Sequence, residues 1–208
     1  MHRVMQPKML YFGTPVVLIS TLNEDGSPNL APMSSAWWLG QSCMLGLSRR
    51  SKTAENLLRD GVCVLNLPSA DMVDVVDRLA LTTGRDPVPE YKAKMGYRFE
   101  RDKFGVAGLS AAPSDLVAPP RVAECPVQLE ARIERTHEVG DPEKMLAAFE
   151  ASILRVHIEE SLVMAGTDTH IDPEQWRPLI MSLCEFFGLG GKLHPSRLAE
   201  AWGPAKAS

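Results

Sequence analysis

From residue 15 to residue 67 the chain alternates short β-branched runs with polar breaks. Val16, Val17, Leu18 and Ile19 open a predicted strand over residues 15–22. Asn23-Glu24-Asp25-Gly26-Ser27 follows, and Asp-Gly is a hairpin signal because glycine takes positive φ without a steric penalty. Residues 28–38 return as a second strand. Pro32 within it predicts an edge or bulged position, since proline has no amide to donate to a ladder. Residues 43–47 and 62–67 read as two more strands. Between them Ser51 is a predicted N-cap, residues 52–59 place Ala54, Leu57 and Leu58 on one helical face, and Gly61 stands just past the end.

The second half mixes the two periods. Ser69 caps a predicted helix in which Met72, Val73, Val75, Val76 and Leu79 recur at helical spacing. Residues 82–126 are rich in proline and glycine and predict an excursion over the sheet, with a short helix near residues 90–95. Strands resume over residues 127–136 and near 152–158. Asp141-Pro142-Glu143 lies between them and reads as a helix start: a cap, proline at the first position, an acid in the first turn. Asp172-Pro173-Glu174 repeats that signal ahead of residues 176–187, where Trp176, Leu179, Ile180, Leu183 and Phe187 form one helical stripe closed by Gly188. Antiparallel hairpins interrupted by helices, without regular βαβ alternation, predict a mainly antiparallel α+β barrel or sandwich rather than a doubly wound parallel sheet.

Composition narrows the classes of function. The 208 residues suit one domain with elaborations. A net charge of −4 argues against a general nucleic-acid partner, although it leaves room for a small basic pocket. No apolar run approaches the ~20 residues of a membrane span, and the first residues carry no apolar core of signal-peptide length. Four cysteines, at 43, 63, 125 and 184, form no Cys-x-x-Cys pair, and three sit in apolar runs. Reduced thiols in a cytoplasmic protein are the reading this favours.

Catalytic signatures are missing. There is no Gly-x-Ser-x-Gly elbow and no Gly-x-Gly-x-x-Gly fingerprint. Gly190-Gly191-Lys192 fails as a P-loop, with Phe186 where the first glycine belongs and Leu193 in place of Ser or Thr. His137-Glu138 lacks the second histidine of a zinc helix, and no metal site is predicted. The informative stretch is residues 29–56. Ser48, Arg49, Arg50, Ser51, Lys52 and Thr53 compress three cations and three hydroxyls against a helix N-terminus, which favours an anion. Two readings fit: a phosphate cradle, or an ordinary basic loop with a capping serine. Asn29, Ser34 and Ser35 lie on or beside the preceding strand.

In order and spacing these residues resemble the flavin reductase-like family of FMN-binding split β-barrels. The resemblance runs through residues 15–21 and the Asp25-Gly26 turn, then Asn29-Leu30-Ala31-Pro32-Met33-Ser34-Ser35, then residues 48–53 with Asn56, then Val64-Leu65-Asn66-Leu67. It ends with Pro119-Pro120-Arg121-Val122-Ala123-Glu124-Cys125-Pro126-Val127 and Leu129-Glu130.

It implies a Greek-key split barrel with peripheral helices over residues 1–165, an excursion at about residues 69–126, and a helical C-terminal extension over 166–208 packed on the same domain. It implies a homodimer with FMN, or FAD as the other flavin, near the subunit interface. Asn29, Ala31, Pro32, Met33, Ser34 and Ser35 would line the isoalloxazine. Ser48, Arg49, Arg50, Lys52 and Thr53 would hold the phosphate. The implied activity is FMN-dependent oxidation of NAD(P)H, with electrons passed to flavin or another small acceptor. The alternative is an FMN electron-transfer protein without direct NAD(P)H turnover, serving an oxygenase or another electron carrier. No residue is assigned as acid or base, because a flavin carries the redox chemistry itself.

One departure bears on the nicotinamide. The family's Gly-Asp-His segment is represented only by Gly140-Asp141-Pro142, and His137 and His157 do not match it. Asn66 reads as finishing its strand. Trp37 and Trp38 face opposite sides of a strand and predict core or interface packing.

Overall fold

The computed structural model describes residues 1–203. In chain order the strands are β1 Phe12–Pro15, β2 Val17–Leu22, β3 Pro28–Met33, β4 Ala36–Leu39, β5 Ser42–Ser48, β6 Val62–Leu67, β7 Thr82–Thr83, β8 Arg98–Phe99, β9 Ala111–Ala112, β10 Arg121–Val122, β11 Val127–Glu138, β12 Leu146–Ile158, β13 Leu179–Ser182 and β14 Glu185–Gly188. The helices are α1 Lys52–Asp60, α2 Val73–Asp77, α3 Glu90–Ala93, α4 Lys103–Ala107 and α5 Leu198–Trp202.

Seven strands form one antiparallel sheet in the order β3-β2-β6-β11-β12-β5-β4. A separate three-stranded sheet joins β1 to the β13–β14 hairpin. The unbroken apolar run at residues 16–19 has a clear cause. Val17 and Ile19 enter one core with Leu45, Leu65, Phe149 and the Ala54 and Leu57 face of α1. Val16 and Leu18 enter a second core with Leu30, Val76, Leu79, Phe104 and Leu179. A strand buried on both faces has no polar side to alternate with.

Local signals near the first hairpin hold. Gly26 turns at φ 78, and its amide donates to the Asn23 carbonyl at 3.0 Å. β3 is a terminal strand of the sheet, which is where Pro32 can sit without breaking a ladder. Ser51 caps α1 by accepting from the Ala54 amide at 3.1 Å, and Gly61 ends it at φ 68.

Two predicted helices are absent. Asp141 does cap a turn, its Oδ1 accepting from the Glu143 amide at 3.0 Å, but the turn is a single 3-10 turn over Pro142–Lys144. Strand β12 then begins at Leu146, six residues ahead of the predicted 152. Ala147, Phe149 and Ala151 are buried at a period of two, and β11 and β5 both supply ladder partners along this segment. The second absence is the helix over residues 176–187. Asp172 closes one turn by accepting the Trp176 amide at 3.1 Å. Pro178 has no amide to continue it. β13 instead pairs with β1, Ile180 opposite Pro15, and turns into β14 through Leu183 and Cys184 at φ 51 and 69. The expected helical extension is therefore largely a hairpin, with only the short α5 beyond it among the described residues.

Cys43, Cys63 and Cys125 are buried, Cys184 is exposed, and all four are free thiols. Burial pushes Cys43 and Cys63 up to about 12, so both stay protonated. No helix among the described residues is long and apolar enough to cross a membrane.

Candidate functional site

A cavity of ≈ 380 Å³ opens where β3, the start of α1, the excursion and the β13–β14 hairpin meet. Its apolar lining comes from Ile19, Met33, Leu47, Val76, Leu79 and Phe186. Its polar lining comes from Ser34, Ser51, Thr53, Thr83, Lys92 and Lys103. Few binding pockets need more than this combination, an apolar wall for a ring and a few converging polar groups to fix orientation.

The residues singled out by sequence divide. Ala31, Pro32, Met33, Ser34, Lys52 and Thr53 line the cavity. Asn29 lies buried beside it; its Nδ2 donates to Thr21 Oγ1 and Thr53 Oγ1, both at 3.2 Å, and its Oδ1 accepts from Lys103 at 3.1 Å. Ser35 is not in the lining. Its hydroxyl meets the Tyr11 phenol at 3.0 Å, and its Cβ would stand 2.9 Å from a Cβ at Gly46. Ser48, Arg49 and Arg50 also stand apart. Ser48 Oγ accepts from the Arg50 amide, Arg49 pairs with Glu138 at 3.0 Å, and the Arg50 guanidinium donates to the Glu143 carbonyl at 3.3 Å.

Lys52 lines the cavity with its charge already neutralised. Its Nζ lies 2.8 Å from Glu24 and 2.6 Å from Glu55, while Arg85 also pairs with Glu55. Burial pulls the Lys52 ammonium down, but the hydrogen bonds to Glu24 and Glu55 outweigh it and leave the pKa above the ordinary lysine value. Glu24 in turn is held down at about 2 by its hydrogen bond from Lys52.

Sequence reasoning missed the lysines of the excursion. Lys103 opens α4 and is 4% exposed. The neighbouring Asp102 carboxylate is spent as the N-cap, Oδ1 accepting from the Gly105 amide at 2.8 Å. Lys92 is half-buried, donates to Thr83 Oγ1 at 3.3 Å, and lies 5.2 Å over the Tyr97 ring. Among the described residues no carboxylate comes within ion-pair distance of either lysine, and nothing neutralises them as Glu24 and Glu55 neutralise Lys52. Burial pushes Lys103 down to about 8, and the charge of Lys92 adds to the effect. Burial also lowers Lys92. A buried ammonium without a counter-charge is costly, and this cavity is where an anion would supply one. Gly84, beside Thr83, permits the close approach: a Cβ there would meet Asn29 Oδ1 at 2.8 Å.

The signal for these residues was slight. Glu100-Arg101-Asp102-Lys103 reads as a solvated charge run, and only the adjoining Phe104 hints that the segment turns inward.

The remaining polar candidates serve the scaffold. Asn66 ties β6 to its neighbours, donating to the Leu18 carbonyl at 3.0 Å and accepting from the Val122 amide at 2.8 Å. Glu130, fully buried, accepts from the amides of Asp115, Leu116 and Val117 and from His157 Nε2 at 2.7 Å. Asp115, Glu130 and His157 come together closely enough to hold a metal ion, but three backbone amides already occupy the Glu130 carboxylate. His137 is exposed, 3.5 Å from Glu150, and neither histidine lines the cavity.

Comparison with known proteins places the chain. The model of the flavin reductase like domain matches residues 9–175. An uncharacterized protein of Bacillus subtilis (strain 168), YdfE, is 38% identical over 185 residues, spanning 89% of this chain and 88% of that one. Flavoredoxin of Desulfovibrio vulgaris (Miyazaki F) superposes with a TM-score of 0.78 at 22% identity, covering 96% of this chain and 100% of that chain. A split barrel domain protein from Shewanella frigidimarina NCIMB 400 superposes with a TM-score of 0.71 at 18% identity, covering 88% and 85%. The fold is thus a split barrel, and the chain belongs to the flavin reductase-like family.

Proposed function

We propose that this chain is an FMN protein that oxidises NAD(P)H and passes the electrons to flavin or another small acceptor. The observation that carries the reading is one cavity in which an apolar wall adjoins a buried ammonium lacking a carboxylate partner. That donor set fits a flavin phosphate ester: the wall suits a flat tricyclic ring and the ammonium suits the phosphate. Ala31, Pro32, Met33 and Ser34 would border the ring, and Thr53 with the start of α1 would face the phosphate. Bound flavin would supply the redox chemistry, taking two electrons from a nicotinamide. The protein's part is to bind and orient, and to exclude water with the Leu79, Met181 and Phe186 side chains. None of its residues is given an acid or base role.

A dimer is part of this reading. Phe12 on β1 and Trp37 and Leu39 on β4 stay exposed on two strands that pack together, with Trp37 at 56%. A second copy would cover them, and sedimentation at micromolar concentration tests it; a monomer would remove this element. Trp38 faces the other way, into the first core.

A specific observation favours the electron-transfer alternative. Gly140-Asp141 forms a capped turn, and neither His137 nor His157 lines the cavity, so no histidine is in place for a nicotinamide. The test is an absorption spectrum after adding FMN and desalting, followed by anaerobic NADH or NADPH. Oxidised flavin bands that are retained and bleach quickly support the reductase. Retained bands that do not bleach with either nucleotide leave the electron-transfer protein. No FMN binding in an equilibrium titration would end both readings.

A further inference from the structure

The cations around the cavity differ in what already answers their charge. Arg49 has Glu138, Lys52 has Glu24 and Glu55, Arg85 has Glu55, and Arg50 donates to a carbonyl. Among the described residues Lys103 has the neutral Asn29 amide oxygen, and Lys92 the Thr83 hydroxyl and the Tyr97 ring face, with no carboxylate in ion-pair distance of either. Both lysines line the cavity, from opposite flanks of the excursion, and the charge of Lys92 lowers the affinity of Lys103 for a proton. The fold therefore holds two like charges near one polar surface, with Glu100 acting on Lys103 only at a distance and, among the described residues, no ion pair to either. A terminal phosphate monoester carries about −1.5 to −2 charges at neutral pH and three acceptor oxygens. A phosphodiester carries one charge and must continue into a second group.

We propose that Lys92 and Lys103 are the anchor for a terminal phosphate monoester, so that the cavity selects the phosphorylated mononucleotide flavin over riboflavin. This rests on the flavin reading above and moves the phosphate contact from the basic loop to the excursion.

The surroundings extend the selection to FAD. Across the partition made by Lys52 and Gly84 lies a second depression. Glu24, Asp25, Glu55, Asp86 and Glu100 line it against Lys52, Arg85 and Arg101, an excess of acid. Its bases are already paired: Arg101 with Asp25 at 2.7 Å, Lys52 and Arg85 as above. A second phosphate leaving the anchor toward this depression meets net negative charge. The order of affinity is FMN above FAD and FMN above riboflavin.

Titration by flavin fluorescence quenching tests this on the full chain, using FMN, FAD and riboflavin with the wild type and with Lys92→Met, Lys103→Met and Arg49→Met. Each lysine substitution is expected to weaken FMN by roughly 10- to 100-fold, the scale of a lost charge-assisted contact, while riboflavin affinity stays within about twofold. Lys92 is half-exposed, so Lys92→Met carries the test if Lys103→Met does not fold. The inference is overturned if both lysine variants keep the wild-type preference for FMN over riboflavin, or if Arg49→Met is the variant that loses it. A wild type that binds no flavin at all overturns the flavin reading itself, an outcome distinct from flavin binding without preference for the monoester.

Discussion

The basic loop at residues 48–53 and the excursion at residues 82–103 both bring lysine or arginine to the edge of one cavity, and they differ in where that charge goes. In the loop, Arg49 and Lys52 are met by carboxylates: Glu138 and Glu24 from distant parts of the sequence, and Glu55 one helical turn on from Lys52. In the excursion, Lys92 and Lys103 are drawn inward with hydroxyl, amide and ring-face partners. Density of cations along a sequence is thus a poor guide to charge available to a ligand. The useful quantity is charge left over after the fold has paired what it can.

Four experiments break or sharpen that contrast. The largest effect is expected at Glu130, which holds residues 115–117 of the same long excursion against β11. Glu130→Gln should cost about 2–3 kcal/mol in denaturant unfolding, the scale of a buried charged acceptor lost to several donors. An unchanged midpoint would mean that this part of the excursion is a passive cover. Burial alone would raise this carboxyl, but the Asp115 amide, His157 and the Leu116 and Val117 amides overcome it and hold it at about 2, against an ordinary 4.5. A depressed acid contributes its stability above the unfolded value, so that contribution should fade as pH drops from 4.5 toward 2.

Gly84→Ala comes next. The new Cβ would press on Asn29 Oδ1, the acceptor of Lys103, and on the Lys52 stem. FMN affinity should fall about tenfold, or ~1.4 kcal/mol, with little change in fold by circular dichroism. Unchanged affinity would show that Asn29 does not set the Lys103 position.

The pH dependence is smaller and has a sign that separates the two regions. Lys103 titrates near 8 in the flavin-free protein. FMN affinity should be greatest between about pH 6, where the phosphate takes its second charge, and about pH 8, and fall severalfold above that. Because the unfolded chain holds this proton up to about pH 10.4, the flavin-free protein should gain stability as pH rises from about 8 toward 10.4. Binding and stability moving together through that window would remove Lys103 from the account. The smallest effect is expected for Arg49→Met, whose partly exposed ion pair with Glu138 is worth less than about 0.5 kcal/mol in stability.

Much of the fold was legible because its signals are local. The Asp25-Gly26 turn, the Ser51 cap, the Gly61 stop and the β-branched runs of β2 and β6 each depend on residues within a few positions. The segment at 176–187 was not legible. Trp176 joins the first core, Leu179 the second, and Leu183 and Phe187 stay exposed, so a spacing that mimics a helical stripe serves three destinations. Its true partner, β1, lies almost the whole chain away. The site divides in the same manner. Ala31, Pro32, Met33 and Ser34 reach the cavity because a strand carries its neighbours along. Lys103 was hidden because its burial is imposed by packing around Phe104, Leu30 and Leu79 rather than by any period of its own segment.

The pairing of β1 with β13 also orders events in time. During synthesis β1 leaves the ribosome early, yet its ladder partner, β13, follows only about 160 residues later. The same late hairpin brings Met181 and Phe186 to the cavity. The seven-stranded sheet can close on contacts already made, while the pocket gains its last wall only when the two ends of the chain find each other, a long-range closure that is slow by topology.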